Sequence, residues 1–148
     1  APALRVAGSG PEEALLNGVK GVVHLGAVPV DVVRREMASA SALVLPSIWY
    51  ENFPRTLVEA FGCGLPVIAS RIGALADLVE DGVTGILFNP GDHSDLARKL
   101  EWAMAHPEEL ARMGNNARRH YEDNFTADRN FAQLMAIYEQ AMQERACA

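Results

Sequence analysis

Basic residues are in short supply. Against 19 Asp and Glu there are 13 Lys and Arg, a net charge of −6. No cationic stripe is available to neutralise a phosphate backbone, which excludes nucleic acid as the partner. Long apolar runs are missing as well, none nearing the ~20 residues that cross a bilayer. The start carries no signal-peptide pattern, and the expectation is a cytoplasmic protein. Cysteine is nearly absent: Cys63 and Cys147 stand in no metal or redox spacing and suit a reducing compartment. Cys63 is expected to be a small core residue near a helix end. Neither an Asp-x-Asp pair nor a His cluster occurs to demand a metal. Repeats, low-complexity tracts and linkers are lacking. What remains is ordinary for a globular chain, with 49% apolar and 22% charged residues over a length of 148 that reads as one domain, 1–148. The chain opens without Met and enters a strand almost at once, which reads as a piece of a longer protein.

Five short apolar segments alternate with helical ones. Leu4–Ala7 reads as a strand closed by Gly8-Ser-Gly10-Pro11, with a short helix near Glu12–Leu16 ended by Asn17-Gly18. Gly8-x-Gly10 is read as a tight turn rather than a dinucleotide fingerprint, because Glu13 occupies the third glycine position and Asp31 does not compensate. Gly21–Leu25 is the second strand, and its lone His24 reads as a hydrogen-bonded structural group. A helix follows from Val30, with Asp31 as its expected N-cap. Ser41–Leu45 is the third strand, stopped by Pro46; the Ser47–Phe53 loop leaves its carboxyl end, the edge where open α/β sheets bind ligands. Trp49 and Tyr50 in that loop either line a pocket or pack the loop down. Val67–Ala69 and Thr84–Phe88 complete the strands, and Arg71 between them reads as a surface ion pair. Helices follow from Asp92 or Ser94 and from Pro107. The last is amphipathic, with Phe131, Leu134, Met135, Tyr138 and Met142 at helical spacing as core or docking contacts, and helices run from about 93 to 146. The alternation predicts an α/β fold, a Rossmann-like parallel sheet with right-handed crossovers and helices on both faces.

The chain is organised around Glu51-Asn-Phe-Pro-Arg-Thr-Leu-Val-Glu59. Pro54 suits a first helical turn, where its missing N–H costs nothing. The N–H groups of Arg55, Thr56 and Leu57 then lack intrahelical partners and, with the helix dipole, form a place for phosphate. Glu51 precedes this end and Glu59 lies about a turn inside it. Two carboxylates repel phosphate, so their natural ligands are hydroxyls. The combination points to a phosphorylated sugar compound.

The run Pro-Ser-x-x-x-Glu-Asn-Phe-Pro-x-x-x-x-Glu-Ala-x-x-x-Gly-Leu-Pro-Val-Ile-Ala-Ser, Pro46 to Ser70, closely resembles the donor-site segment of glycosyltransferase family 4. The likeness continues through Gly73–Asp77 and Glu80–Asp92 into the C-terminal helices, nearly the whole chain. It implies the C-terminal, donor-binding half of a GT-B fold, from a retaining enzyme that moves a sugar from a nucleotide-diphosphate sugar to an acceptor, as in polysaccharide biosynthesis. By the same resemblance Glu51 is catalytic and faces the donor sugar, with Asn52, Phe53 and Pro54 beside it. Arg55, Thr56 and Leu57 take the diphosphate, Glu59 the ribose, and the turn around Val28 the base. No cofactor and no metal are implied. The implied partners are the nucleotide-sugar and an N-terminal acceptor-binding domain, with no transmembrane segment, and peripheral membrane association remains open for the parent.

Asn52 stands where many family members have Gly. The family's first strand and helix, with the Arg and Lys that neutralise the diphosphate, have no counterpart before Leu4, so the isolated chain is expected to be inactive and to form non-native oligomers. Other readings stay open. One is a GT-B sugar-nucleotide epimerase or phosphorylase, and another a non-catalytic nucleotide-binding or interaction domain. A flavodoxin- or receiver-like module fits least, lacking the Asp cluster or flavin loop.

Overall fold

The computed structural model describes residues 4–146; Cys147 lies outside them. The strands are β1 (Leu4–Ala7), β2 (Val22–Gly26), β3 (Leu43–Leu45), β4 (Val67–Ser70) and β5 (Gly85–Phe88). The helices are α1 (Val30–Ser39), α2 (Arg55–Gly62), α3 (Gly73–Leu78), α4 (His93–Ala105), α5 (Pro107–Asn124) and α6 (Ala127–Ala146). The segment after β1 forms a 3-10 turn, Glu13–Leu16, rather than a full helix. All strand pairing is parallel, as the alternation predicts, but it runs in two ladders, β1-β2 and β3-β4-β5, where the sequence suggests one sheet. The described chain also divides into two compact units after Ser39.

In the first unit β1 pairs with β2 from Leu4↔Val22 onward. His24 Nε2 donates to the Gly8 carbonyl at 2.9 Å, the structural role expected of it. Arg5 pairs with Glu36 and so ties β1 to α1. Asp31 is not the N-cap of α1; it lies in the first turn, 3.4 Å from Arg35 one turn on.

The second unit holds the main core. Every residue of β4 and β5 is buried, as a strand covered on both faces requires. Ile68, Ile86 and Phe88 pack with Ala103 of α4 and with Leu110 and Met113 of α5. Gly114 lets α5 approach the chain after α2: a Cβ there would lie 2.3 Å from the Gly64 carbonyl oxygen. Gly64 itself has φ +70, a left-handed conformation that ends α2 at low steric cost. Arg118 of α5 donates to the Gly62 carbonyl, satisfying the same helix end. Asp92 caps α4 by accepting from the Asp95 N–H at 2.9 Å, and Pro107 opens α5 at its first position.

Candidate functional site

β3 ends at Leu45, and the chain turns out over its carboxyl end into the 46–54 loop. Ser47 Oγ donates to Glu51 Oε1 at 2.6 Å, a short bond of the charge-assisted kind. It orients a carboxylate that is otherwise open to solvent. Tyr50, 82% exposed, lies across Gly73 at the start of α3, where a Cβ would fall 2.9 Å from its Cδ1. Trp49 is 76% exposed. Neither aromatic is buried in packing the loop down, although the edge of Tyr50 rests on the glycine. Phe53 meets Phe125 with ring centroids 6.3 Å apart, and together with His120 and Tyr121 they line a groove of about 670 Å3.

The helix start differs from expectation in one respect. Pro54 is the N-cap of α2, at φ −80 and ψ 86, rather than a member of its first turn, and Arg55 is the first helical residue. The Pro54 carbonyl accepts from Leu57 N–H at 3.0 Å and from Val58 N–H at 3.4 Å. The Leu57 amide is therefore already engaged, and its side chain is fully buried with Ala60 and Phe61. Among the described residues the Arg55 and Thr56 N–H groups make no backbone hydrogen bond. The open end of the helix thus offers two unbonded amides rather than the three expected.

Glu59 is half-buried one turn inside α2, and its Oε1 lies 3.8 Å from Arg55 Nη2. The Arg55 guanidinium is 84% exposed, so this pair is loose and contributes little. Asn52 and Thr56 are exposed and Pro54 is buried. One stretch thus presents a tethered carboxylate, two unbonded amides, an exposed cation and a second carboxylate. Val28 belongs to the other unit, where it is half-buried in the turn between β2 and α1.

Around this stretch Arg71 is held by Asp81 at 2.6 Å, the ion pair read from sequence. Asp81 also accepts from the Leu87 N–H at 2.9 Å. Cys63 is exposed rather than part of the core, because it falls off the stripe of Leu57, Ala60 and Phe61 that α2 buries. Ser47 and Gly73 were missed by the sequence reading. Ser47 precedes Glu51 by four residues in a loop, where spacing predicts no contact, and only the folded loop brings them together. Among the described residues no helix is long and apolar enough to cross a membrane, and no three His, Cys, Asp or Glu residues gather closely enough to hold a metal ion.

Parallel strands with intervening helices make an α/β domain, and solved structures of GT-B glycosyltransferase fold superpose on it. Sucrose-phosphate synthase from Thermosynechococcus elongatus matches with a TM-score of 0.83 and 28% identity, over 95% of this chain and 39% of that one. Anabaena Alr3699/HepE in complex with UDP-glucose matches with a TM-score of 0.74 and 25% identity, over 99% of this chain and 41% of that one. Among curated proteins, the MMP alpha-(1->4)-mannosyltransferase of Mycolicibacterium hassiacum is 36% identical over 138 residues, 90% of this chain. The chain spans 33% of that relative's length. The protein belongs to the family of glycosyl transferases group 1, whose model matches residues 3–120.

Proposed function

We propose that the chain is the donor-binding half of a retaining glycosyltransferase, of the family 4 type, which moves a sugar from a nucleotide-diphosphate sugar to an acceptor. The observation that carries this reading is the start of α2. Two unbonded amides and the Arg55 side chain meet there, between a carboxylate four residues before the helix and another one turn inside it. The Arg55 and Thr56 amides hold the diphosphate, where preorganised donors and the helix dipole stabilise charge on the leaving group. Glu51, oriented by Ser47 and flanked by Asn52, Phe53 and Pro54, faces the transferred sugar as the catalytic carboxylate. Glu59 accepts hydrogen bonds from the ribose hydroxyls. No metal is needed in this scheme, because amides and a guanidinium carry the electrostatic work. UDP and UDP-glucose bound to a protein of the same fold support a nucleotide-sugar as the ligand class. Transfer itself belongs to the longer protein, in a cytoplasmic setting.

Calorimetric titration of the chain with UDP, GDP and ADP tests the reading, with Glu59→Ala beside it. A hydrogen bond to a charged group contributes about 1.5–3 kcal/mol, so the variant should bind about 10- to 100-fold more weakly. Nucleotide binding that is indifferent to Glu59→Ala would remove the ribose assignment. If the chain binds none of the three, the same titration on the longer protein decides whether the site exists at all.

A further inference from the structure

We propose that Tyr50 and Gly73 are a positioning pair, which fixes the loop carrying Glu51 against α3 so that its carboxylate meets the donor sugar in one orientation. This rests on the donor-site reading above and adds to that site a residue from beyond β4. The hydrogen bond from Ser47 to Glu51 has both ends within the 46–54 loop. It sets the carboxylate relative to the loop but does not set the loop relative to the domain. Two contacts with other elements do that. Tyr50 lies on Gly73, the first residue of α3, and Phe53 meets Phe125, the residue after α5. Phe125 packs on His120 with centroids 5.4 Å apart, and His120 on the buried Phe61 at 5.9 Å, so the second anchor reaches the core. Glu51 and Asn52 bridge these two fixed points, a span too short to keep much conformational freedom.

The contact at Gly73 admits only glycine. A Cβ there would fall 2.9 Å from Tyr50 Cδ1, 3.7 Å from its Cε1 and 3.8 Å from its Cα, so both the ring and the backbone next to Glu51 come close. Gly73 also has φ +48, in the left-handed region where a side chain is strained. A methyl group would push ring and backbone away together and turn Glu51 with them. Displacing a positioning group by about 1 Å can cost about 100-fold in a reaction. The diphosphate should not feel the change, because the Arg55 and Thr56 amides belong to α2, which is held by the buried Leu57, Ala60 and Phe61. Loss of the pair is therefore expected to weaken recognition of the sugar and to spare that of the nucleotide.

Calorimetry of UDP against UDP-glucose, GDP against GDP-mannose and ADP against ADP-glucose tests the pair, on the chain or the longer protein, whichever binds nucleotide. Tyr50→Ala and Gly73→Ala should each weaken the sugar conjugate about tenfold or more and change the bare nucleotide less than about twofold. Tyr50→Phe keeps the ring and should match the parent. The double variant should lose no more than either single one, as two residues acting through one contact require. Equal losses for nucleotide and conjugate, no loss for either, or a Tyr50→Phe as weak as Tyr50→Ala would overturn the proposal. A ligand-free readout separates it from the donor reading. With Trp102→Phe, Trp49 is the one Trp left in the chain, and its fluorescence anisotropy should fall in Tyr50→Ala and Gly73→Ala but not in Tyr50→Phe. Unchanged anisotropy overturns the positioning role whatever binds. If no nucleotide binds at all, the donor reading falls and takes the link to the sugar with it, even where the anisotropy drops. Circular dichroism of each variant distinguishes a displaced loop from a lost fold.

Discussion

A carboxylate in an exposed loop samples many directions unless something holds it, and the loop's own Ser47 does this for Glu51 through a 2.6 Å hydrogen bond. Asp95 is constrained more fully. Its Oδ2 accepts from the Asn89 N–H at 2.8 Å and its Oδ1 from Arg98 at 3.0 Å, at the junction of β5 and α4. The Asn89 amide, followed by the charges of Arg98 and Lys99, pulls the Asp95 carboxyl below the usual carboxylate range, although burial pushes the other way. A depressed folded-state value means that the ionised form stabilises the fold above the unfolded value of about 3.9, and that this contribution fades as pH falls through the folded value. Asp95→Asn should therefore be less stable than the parent chain at neutral pH, and the difference should shrink as urea melts are taken below about pH 4. A gap that stays constant down to the acid limit would show that the carboxylate's charge is not what matters. None of this was legible beforehand. Asp95 stood in the sequence as an ordinary first-turn acid behind the expected caps Asp92 and Ser94, and its partners are fixed by where β5 ends.

Among the elements, the contact between α2 and α5 is the least forgiving. Gly62 lies 3.3 Å, by its would-be Cβ, from the Tyr121 ring, and Gly114 lies against the Gly64 carbonyl. Gly114→Ala places a methyl where only 2.3 Å is available, against backbone that cannot rotate away. Overpacking of this kind costs about 1–3 kcal/mol, and the helix propensity of Ala returns about 1 kcal/mol at most. The variant should melt several degrees lower in a thermal scan, and an unchanged melting temperature would mean that α5 shifts freely. Because α2 carries the candidate anion site at its other end, nucleotide affinity should fall with the same substitution. The glycines that end α2 could be read from the sequence, since a stop before Pro66 needs them. Gly114 could not, because nothing within α5 announces which of its residues will meet a backbone 50 positions earlier.

For the whole molecule, the division after Ser39 predicts unequal stability. Among residues 4–39 Met37 is the one buried side chain, whereas β4 and β5 are buried throughout. A unit of about 40 residues with so little core is marginal by surface-to-volume scaling. Amides of β1 and β2 should therefore exchange with deuterium at least about tenfold faster than those of β4, which should exchange only through global unfolding. Uniform protection across both ladders would show that the two units unfold together.

The alternation of apolar runs with helical periods settled the α/β class, the five strands and their parallel direction, because these depend on local pattern and on the handedness of crossovers. The run from Pro46 to Ser70 likewise pointed to a glycosyltransferase of GT-B fold, and the group 1 family model matches residues 3–120. Contacts between residues distant in sequence were decided by the tertiary structure alone: the seat of Tyr50 on Gly73, the close approach of Gly114, and the exposure of Cys63 and α6. So was the engagement of the Leu57 amide, which follows from Pro54 acting as cap rather than first-turn residue. The physical reason is one of range. Hydrophobic period and turn chemistry act over a few residues and are written along the chain, while burial, close approach and pairing depend on which distant surfaces meet.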